Sequence, residues 1–162
     1  MNKIGLFICF LLAISFTKSE EIDGIDVDEV YGKLIIITKG MAKTAEYKCS
    51  NTLNNKKDEI LPVVKDAVRN LKNTEEISNI LGTLAVKLFK TGVLNDCNVI
   101  NIISFVSNIL EPDGIRNLGY NIKNNVNPLS GLLQEYFQAS DKERKLFVLG
   151  QIIRIITGVS LE

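Results

Sequence analysis

The chain has 162 residues, of which 46% are hydrophobic, 23% charged and 7% aromatic, and its formal net charge is zero. This composition is typical of a globular domain and excludes a disordered, collagen-like or low-complexity chain. The sequence contains no histidine, which excludes His-based catalytic triads and His-ligated metal sites. It also lacks tryptophan and a basic excess, which argues against nucleic-acid binding.

Residues 1–19 have the layout of a secretory signal peptide. Lys3 supplies the positive start, residues 4–16 carry no charge, and the small residues Thr17 and Ser19 precede a cleavage point before Glu20. At 1.5 Å per residue the uncharged stretch would be about 20 Å long, which is short of a bilayer core of about 30 Å. We therefore expect cleavage, with an uncleaved anchor as the alternative. The mature chain is expected in the secretory-pathway lumen or outside the cell.

The charge of the mature chain follows from what the signal peptide removes. Two of the 19 basic residues and none of the 19 acidic ones lie in residues 1–19, so the remainder has a net charge of −2. This balance gives no electrostatic attraction to DNA or to anionic lipid. No later segment is long and apolar enough to span a bilayer. We expect no nucleic-acid partner and no membrane span after cleavage.

Two cysteines, Cys49 and Cys97, remain after the signal peptide is removed. A pair of cysteines in an oxidising compartment most simply forms one disulfide, and two reduced thiols are the alternative. Closing a loop of about 50 residues stabilises the folded chain by about 4 kcal/mol in the chain-entropy model. The spacing excludes a CxxC redox motif and offers no zinc cluster.

The apolar spacing is helical almost throughout the mature chain, and strand signals are weak. A first helix includes the strand-like run LIIIT at residues 34–38 and has one apolar face, formed by Val27, Val30, Leu34, Ile37, Met41 and Ala45. A second is predicted over 58–71, with Pro62 in its first turn or at a kink. A third begins at residue 73 or 74 and stops at Gly92. A fourth runs from residue 95 or 96 to just before Pro112.

The rest of the chain predicts three more helices. A short fifth helix holds Ile115, Leu118, Ile122 and Val126. The sixth is expected to start with Asn127 as its N-cap and Pro128 at its first position. Its inward-facing residues are predicted to be Leu129, Leu132, Leu133, Tyr136 and Phe137. The last opens with a capping box from Ser140 to Glu143 and runs toward Gly158.

These patterns predict an all-α fold, a compact bundle of about six to seven short amphipathic helices following the signal peptide. No linker is long enough to divide the chain, so residues 20–162 are expected to form a single helical domain with one disulfide. The disulfide would join the end of the first helix to the start of the fourth.

Catalytic and ligand-binding motifs are not recognisable in the sequence. The glycines match neither a dinucleotide-binding motif nor a P-loop, and the acidic residues near the start of the mature chain do not follow the EF-hand order. Glu75 and Glu76 are adjacent, so on a helix they diverge by about 100° and cannot face each other as an acid–base pair. We therefore expect a non-enzymatic protein with no metal and no cofactor.

The most informative feature is the scarcity of charge in two of the predicted helices. Residues 98–110 carry no charge, and Arg154 is the single charge in residues 146–160. Such helices form a central core, line a cavity for an apolar ligand, or provide a protein–protein contact. The candidate interface or cavity residues are Val99, Ile102, Ile103, Phe105, Val106, Ile109, Leu149, Ile152, Ile153 and Ile156.

Two functions are compatible with these observations. The first is a secreted, non-enzymatic helical protein that acts through protein–protein contacts, with an unknown protein or by self-association, in an extracellular or secretory-granule assembly. The alternative is a carrier that holds a lipid or another hydrophobic ligand in an internal apolar cavity. In the first case the charge-poor helices would contact a partner, and in the second they would line the cavity.

Overall fold

The computed structural model describes residues 26–70, 74–109 and 112–161, and within these ranges the chain forms nine α-helices and no strand. The helices are α1 (Val27–Met41), α2 (Lys48–Asn55), α3 (Lys57–Arg69), α4 (Thr74–Lys90), α5 (Val93–Asp96), α6 (Val99–Ile109), α7 (Pro112–Asn124), α8 (Val126–Gln138) and α9 (Lys142–Thr157). The predicted all-α bundle is confirmed. The signal peptide predicted at residues 1–19 lies outside the described residues.

The first helix begins where the sequence predicts but ends earlier. The Asp26 carboxylate accepts hydrogen bonds from the backbone N–H groups of residues 28 and 29, which caps the helix. The helix includes the run LIIIT at residues 34–38, as predicted. It ends at Met41, and its apolar face does not extend to Ala45, which is exposed. The carbonyls of Met41 and Ala42 accept hydrogen bonds from the Leu161 N–H and the Arg154 guanidinium, which replace further helical turns.

The second helix, α2, has no counterpart in the sequence prediction. Its residues KCSNTLNN are poor helix formers, because Ser, Thr and Asn compete for backbone hydrogen bonds. Tertiary contacts override this weak propensity, since Cys49 and Leu53 are buried in the core and Cys49 is covalently anchored. Tyr47 lies just before the helix in the left-handed conformation, with φ 49°.

The predicted fourth helix is divided in two. The short helix α5 ends at Asp96 and α6 begins at Val99, because Asn98 adopts a left-handed conformation with φ 49°. Asparagine tolerates this conformation better than most residues. Its side-chain amide donates to the Ser160 carbonyl at 3.4 Å, which ties the break to the end of the chain.

The remaining boundaries differ by one or a few residues. Pro62 lies inside α3, beyond its first turn, and α8 begins at Val126, so the predicted N-cap at Asn127 is wrong. For α9 the capping residue is Asp141 rather than Ser140, and its carboxylate accepts from two backbone N–H groups of the first turn. Gly92 and Gly158 follow α4 and α9 in the left-handed conformation, as their predicted positions require.

The buried apolar side chains form two clusters that lie on opposite sides of the α1–α9 pair. The larger cluster brings together α1 to α6 with Leu161 from the end of the chain. The smaller cluster lies between α8 and α9 and is centred on Leu129, Val148 and Ile152. The most extensive contacts of α9 are with α1, followed by α8 and α7. Helix α9 is therefore enclosed between α1 on one side and the α7–α8 pair on the other.

Helices α1 and α9 cross with their backbones in contact. A Cβ atom added to Gly150 would lie 2.9 Å from the Cα of Gly40 and would overlap the carbonyl oxygen of Ile37. A Cβ atom on Gly40 would overlap the carbonyl of Phe147 in the same way. Because the obstructing atoms belong to the backbone, they cannot move aside as a side chain does. Only glycine fits at either position without separating the helices.

We predict that Gly150→Ala destabilises the fold by about 3 kcal/mol or more, because overpacking against backbone cannot relax locally. Gly131→Ala is the matched control: this glycine is an exposed residue of α8, and an added Cβ would meet nothing within 4 Å. That control should stabilise the protein by about 0.5–1 kcal/mol, the usual gain from replacing a mid-helix glycine. Chemical denaturation of both variants checks the difference, and equal effects would contradict the crossing.

The Cys49–Cys97 disulfide connects α2 to the residue that follows α5, with the two Cα atoms 4.4 Å apart. The predicted pairing is present, but neither cysteine belongs to the helix that was expected to carry it, because α2 was missed and the fourth helix is divided. Both cysteines are buried in the larger cluster. Near the disulfide, the Thr52 hydroxyl donates to the Asp96 carboxylate at 2.5 Å and forms a second link between α2 and α5.

Cys49→Ser is expected to lower the free energy of unfolding by roughly 2–5 kcal/mol, because it releases the constraint on the unfolded chain. The helical circular-dichroism spectrum should persist at low temperature, since the Thr52–Asp96 hydrogen bond and the apolar contacts remain. Thermal melts of the variant and the wild type under non-reducing conditions measure the loss. Two titratable thiols in the denatured, unreduced wild-type protein would contradict the disulfide.

Tyr31 connects α1 to α2 through a buried hydrogen bond. Its hydroxyl donates to the Leu53 carbonyl at 2.8 Å, and the residue is 4% exposed. This carbonyl lies in the last turn of α2, where backbone acceptors have no partner within the helix. Burial disfavours the phenolate and raises the pKa of Tyr31 to about 12.

The raised pKa of Tyr31 makes stability depend on pH in the alkaline range. The phenol ionises near pH 10 in the unfolded chain and near 12 in the folded chain, so the stabilisation is complete below about pH 10 and is lost as the pH rises to about 12. We expect the unfolding free energy to fall by at most about 1.4 kcal/mol per pH unit in that window. Denaturation from pH 9 to 12 tests this, and Tyr31→Phe should lack this component of the slope. An identical slope in both proteins would rule it out.

Candidate interaction surface

The sequence-predicted candidates on α6 contribute mainly to the core. Val99, Ile102 and Val106 are buried in the larger cluster, and Ile103 and Phe105 are partly buried against it. The side chain of Ile109 lies outside the described residues. The solvent-facing side of α6 carries Ile100 together with the neutral polar residues Asn101, Ser104 and Asn108. The charge-free sequence of this helix therefore reflects a buried stripe with an uncharged polar face opposite it.

The candidates on α9 lie between its two neighbouring layers. Ile152 is buried in the smaller cluster and Ile156 packs against that cluster, whereas Leu149 and Ile153 are half-buried. Residues two apart on a helix are separated by about 200°, so Ile152 and Gly150 face opposite sides of α9. Arg154, the one charge in this stretch, is half-buried and donates to the Ala42 carbonyl. Contacts on both sides account for the scarcity of charge.

Exposed apolar side chains are concentrated elsewhere in the fold. Among the described residues, the large apolar side chains that are exposed are Val86, Phe89, Ile100, Ile115, Tyr120, Ile122, Val126, Leu133 and Phe137. Six of these nine belong to α7 and α8. These two consecutive helices therefore carry most of the exposed apolar side chains and form the candidate contact surface.

Helix α8 has a wider apolar arc than its neighbour covers. At 100° per residue, the apolar positions from Leu132 around to Phe137 span about 140° of the helix circumference. One half of this arc, with Leu129, Leu132 and Tyr136, packs on α9. The other half, with Val126, Leu133 and Phe137, is exposed at 55%, 45% and 76%. The uncovered half follows one side of the helix from Val126 to Phe137, with the exposed Ser130 between Val126 and Leu133.

Helix α7 repeats the same arrangement. Its inward side consists of the buried Gly114 and the half-buried Leu118 and Asn121, and the Asn121 amide donates to the Ile156 carbonyl of α9 at 3.1 Å. Ile115 and Ile122 are seven residues apart, which places them on one stripe beside this inward side, and both are exposed. We name the five exposed residues Ile115, Ile122, Val126, Leu133 and Phe137 the α7–α8 surface.

The exposure of Leu133 and Phe137 corrects the prediction that they face inward. Both lie at helical spacing with the inward residues of α8, so spacing alone does not distinguish exposed from buried residues on this helix. Which apolar residues of α8 are buried depends on how many helices pack around it. Helix α8 packs mainly against α9, on one side. The width of the apolar arc was the available sequence signal, since an arc of about 140° exceeds the roughly 100° stripe that faces the core.

Charged residues are few along the α7–α8 surface: from Ile115 to Phe137 they are Arg116, Lys123 and Glu135. Lys123 is the single charged residue between Arg116 and Glu135. Glu135 is itself paired with Arg144 of α9, whose Nε donates to the carboxylate at 2.5 Å. Phe137 contacts the ring of the half-buried Tyr136 edge to face, with centroids 5.5 Å apart. The five side chains of the surface are therefore apolar, with the exposed Arg116 and Lys123 beside those of α7.

The rest of the described chain contains no stronger candidate for a functional site. A depression of about 270 Å³ on α3 is lined by Leu61 and Pro62 together with the charged residues Asp58, Lys65, Asp66 and Arg69, and it includes none of the predicted candidates. Over the described ranges, no three carboxylate or cysteine side chains are grouped as metal ligands would be. None of the helices in these ranges is long and apolar enough to cross a membrane.

No known protein family, curated protein sequence or solved structure matches this chain.

The two halves of the α8 arc should differ in their contribution to stability. Leu129→Ala is expected to cost about 2–5 kcal/mol, because it leaves a cavity in the smaller cluster. Leu133→Ala is the matched change on the same helix and should alter the unfolding free energy by no more than about 0.5 kcal/mol. Urea denaturation compares the two variants. A Leu133→Ala loss as large as that of Leu129→Ala would mean that this stripe is part of the core.

Proposed function

We propose that the protein is a secreted, non-enzymatic helical protein that acts through protein–protein contacts and that the α7–α8 surface makes these contacts. One observation carries the proposal: five exposed apolar side chains lie on two consecutive helices, in a segment of 23 residues from Ile115 to Phe137 whose charged residues are Arg116, Lys123 and Glu135. The central part of a protein interface is likewise depleted of charge and enriched in large apolar and aromatic side chains.

The alignment of the exposed residues along one side of each helix distinguishes this surface from scattered apolar residues. Single exposed apolar residues are common on proteins and need no explanation, whereas contiguous apolar patches mark interaction sites. Val126, Leu133 and Phe137 follow one another on the same side of α8. Covering such a stripe would stabilise a complex by about 25 cal/mol for each Å² of apolar area removed from water.

The secreted location is supported by the sequence of residues 1–19 and by the cysteine pair. A signal peptide directs the chain to an oxidising compartment, where disulfides persist. A buried disulfide that links two helices suits a protein that remains folded outside the cell. We place the contacts in an extracellular or secretory-granule assembly.

Site-directed photo-crosslinking tests the contact. The photoreactive amino acid p-benzoylphenylalanine would replace Phe137 in the full chain, expressed in cells of its natural source. The matched control carries it at Phe89 of α4, because the two phenylalanines are almost equally exposed, at 76% and 73%, but Phe89 lies outside the α7–α8 surface. Irradiation should yield a defined protein adduct at position 137 and none at position 89.

Three outcomes would contradict the proposal. They are the absence of an adduct at either position, equal adducts at both, and a lipid adduct without a protein adduct. The last outcome would support the carrier of a hydrophobic ligand instead, and native mass spectrometry of the purified protein would then identify the ligand by its mass.

A further inference from the structure

We infer that α7 binds an acidic surface of another protein, on which carboxylates flank an apolar side chain. This inference rests on the proposed function, because it states the chemistry of the partner that the α7–α8 surface contacts. Three observations on α7 support it: the position of two cations, the scarcity of carboxylates around them, and a gap in the helix surface between them.

Arg116 and Lys123 lie at the centre of the solvent-exposed side of α7. Arg116 is two residues from the buried Gly114, so it lies about 200° around the helix from the inward side. Lys123 is seven residues further on and is therefore on the same side, about 10 Å along the helix axis. Ile115 and Ile122 each precede one of these cations. The exposed apolar pair of α7 is therefore bordered by two positive charges.

Few carboxylates of the chain compete for these two cations. The sequence from residue 114 to residue 134 contains no Asp or Glu. Among the described residues, no carboxylate lies within ion-pair distance of Lys123. Arg116 has one contact of 3.3 Å with Asp113, and such a pair between two exposed side chains contributes little to stability. Both cations are therefore available to carboxylates of a partner.

The sign of the charge and the residue types on this side select the partner. Two cations without a nearby acid attract carboxylates and repel a second copy of the same surface. Tyr120 lies four residues after Arg116 on the same side and is 54% exposed. Tyrosine and arginine are the residue types enriched at protein interfaces. Anionic lipid is bound by clusters of about four to eight Lys and Arg residues, so two cations favour a protein partner over a membrane.

Gly119 leaves a gap on this side of α7, between Arg116 on the preceding turn and Lys123 on the following one. An added Cβ atom would meet nothing within 4 Å, so packing within the chain does not require glycine here, although glycine weakens a helix interior. Three other helix glycines of the described residues are equally open, but none has cations on both adjacent turns. With Tyr120, these residues have the spacing of a hole that receives a partner's side chain.

Carbodiimide crosslinking tests this inference, because the reagent joins a lysine amine to a carboxylate when the two are in contact. It would be added to cells of the natural source that express the full chain, and the peptides that contain Lys123 would be analysed by mass spectrometry. Lys123 should be joined through an amide bond to Asp or Glu of another protein. Lys90 of α4 is the matched control, an exposed lysine beside the exposed Phe89, and should form no such bond.

The partner identified in this way allows the effect of charge and shape on affinity to be measured. The double variant with Arg116→Glu and Lys123→Glu should raise the dissociation constant by about tenfold or more, while Lys90→Glu should leave it unchanged. Gly119→Gln, which fills the gap without adding a charge, should also raise it. Circular dichroism verifies that the variants are folded.

The outcomes separate this inference from the proposed function. A protein adduct at position 137 without an amide bond at Lys123 keeps the contact and overturns its acidic partner. Amide bonds to other proteins at Lys123 and Lys90 alike, or equal binding of the partner by the double variant, overturn it as well. Unchanged affinity of Gly119→Gln contradicts the entry of a side chain into the gap. Sedimentation of the full chain with vesicles of phosphatidylserine and phosphatidylcholine, lost in the double variant, would overturn it in favour of a membrane.

Discussion

The contact between the backbones of α1 and α9 at Gly40 and Gly150 is the constraint on which the rest of the fold depends. It brings the two helix axes closer than any pair of side chains would permit and leaves no space for a Cβ atom on either glycine. The side of α9 that faces α1 is thereby occupied by backbone contact, so its larger apolar side chains, such as Val148 and Ile152, face away from α1. The smaller cluster forms there, separate from the larger one.

The position of α7 and α8 follows from this arrangement. They cover the side of α9 opposite α1 and are covered by no further layer of described residues. Each helix buries the half of its apolar arc that faces α9 and exposes the other half. The exposed half is covered by no described helix, which is why we propose it as a contact. We therefore propose that the protein acts through the side of α7 and α8 that no described helix covers.

Much of the fold, but little of the candidate surface, could be predicted from the sequence. Helical apolar spacing identified most elements because it reports local burial, and Gly92 and Gly158 marked helix ends because their backbone conformation favours glycine. The sequence did not reveal α2, whose poor propensity is overridden by the disulfide, or the break at Asn98, which tertiary contacts stabilise. It predicted Phe137 to be buried because spacing shows which residues share a face and not how many neighbours cover that face.

Hydrogen–deuterium exchange of the full chain tests the central claim most directly. If the α1–α9 crossing holds the fold together, amides in the middle of these two helices should exchange last, through global unfolding. Amides of α7 and α8 should exchange earlier, because these helices lie at the outside of the fold, where α8 is supported mainly by α9 and α7 by α9 and α6. Protection in α7 and α8 equal to that of α9, or earlier exchange in α1 than in α8, would contradict the account.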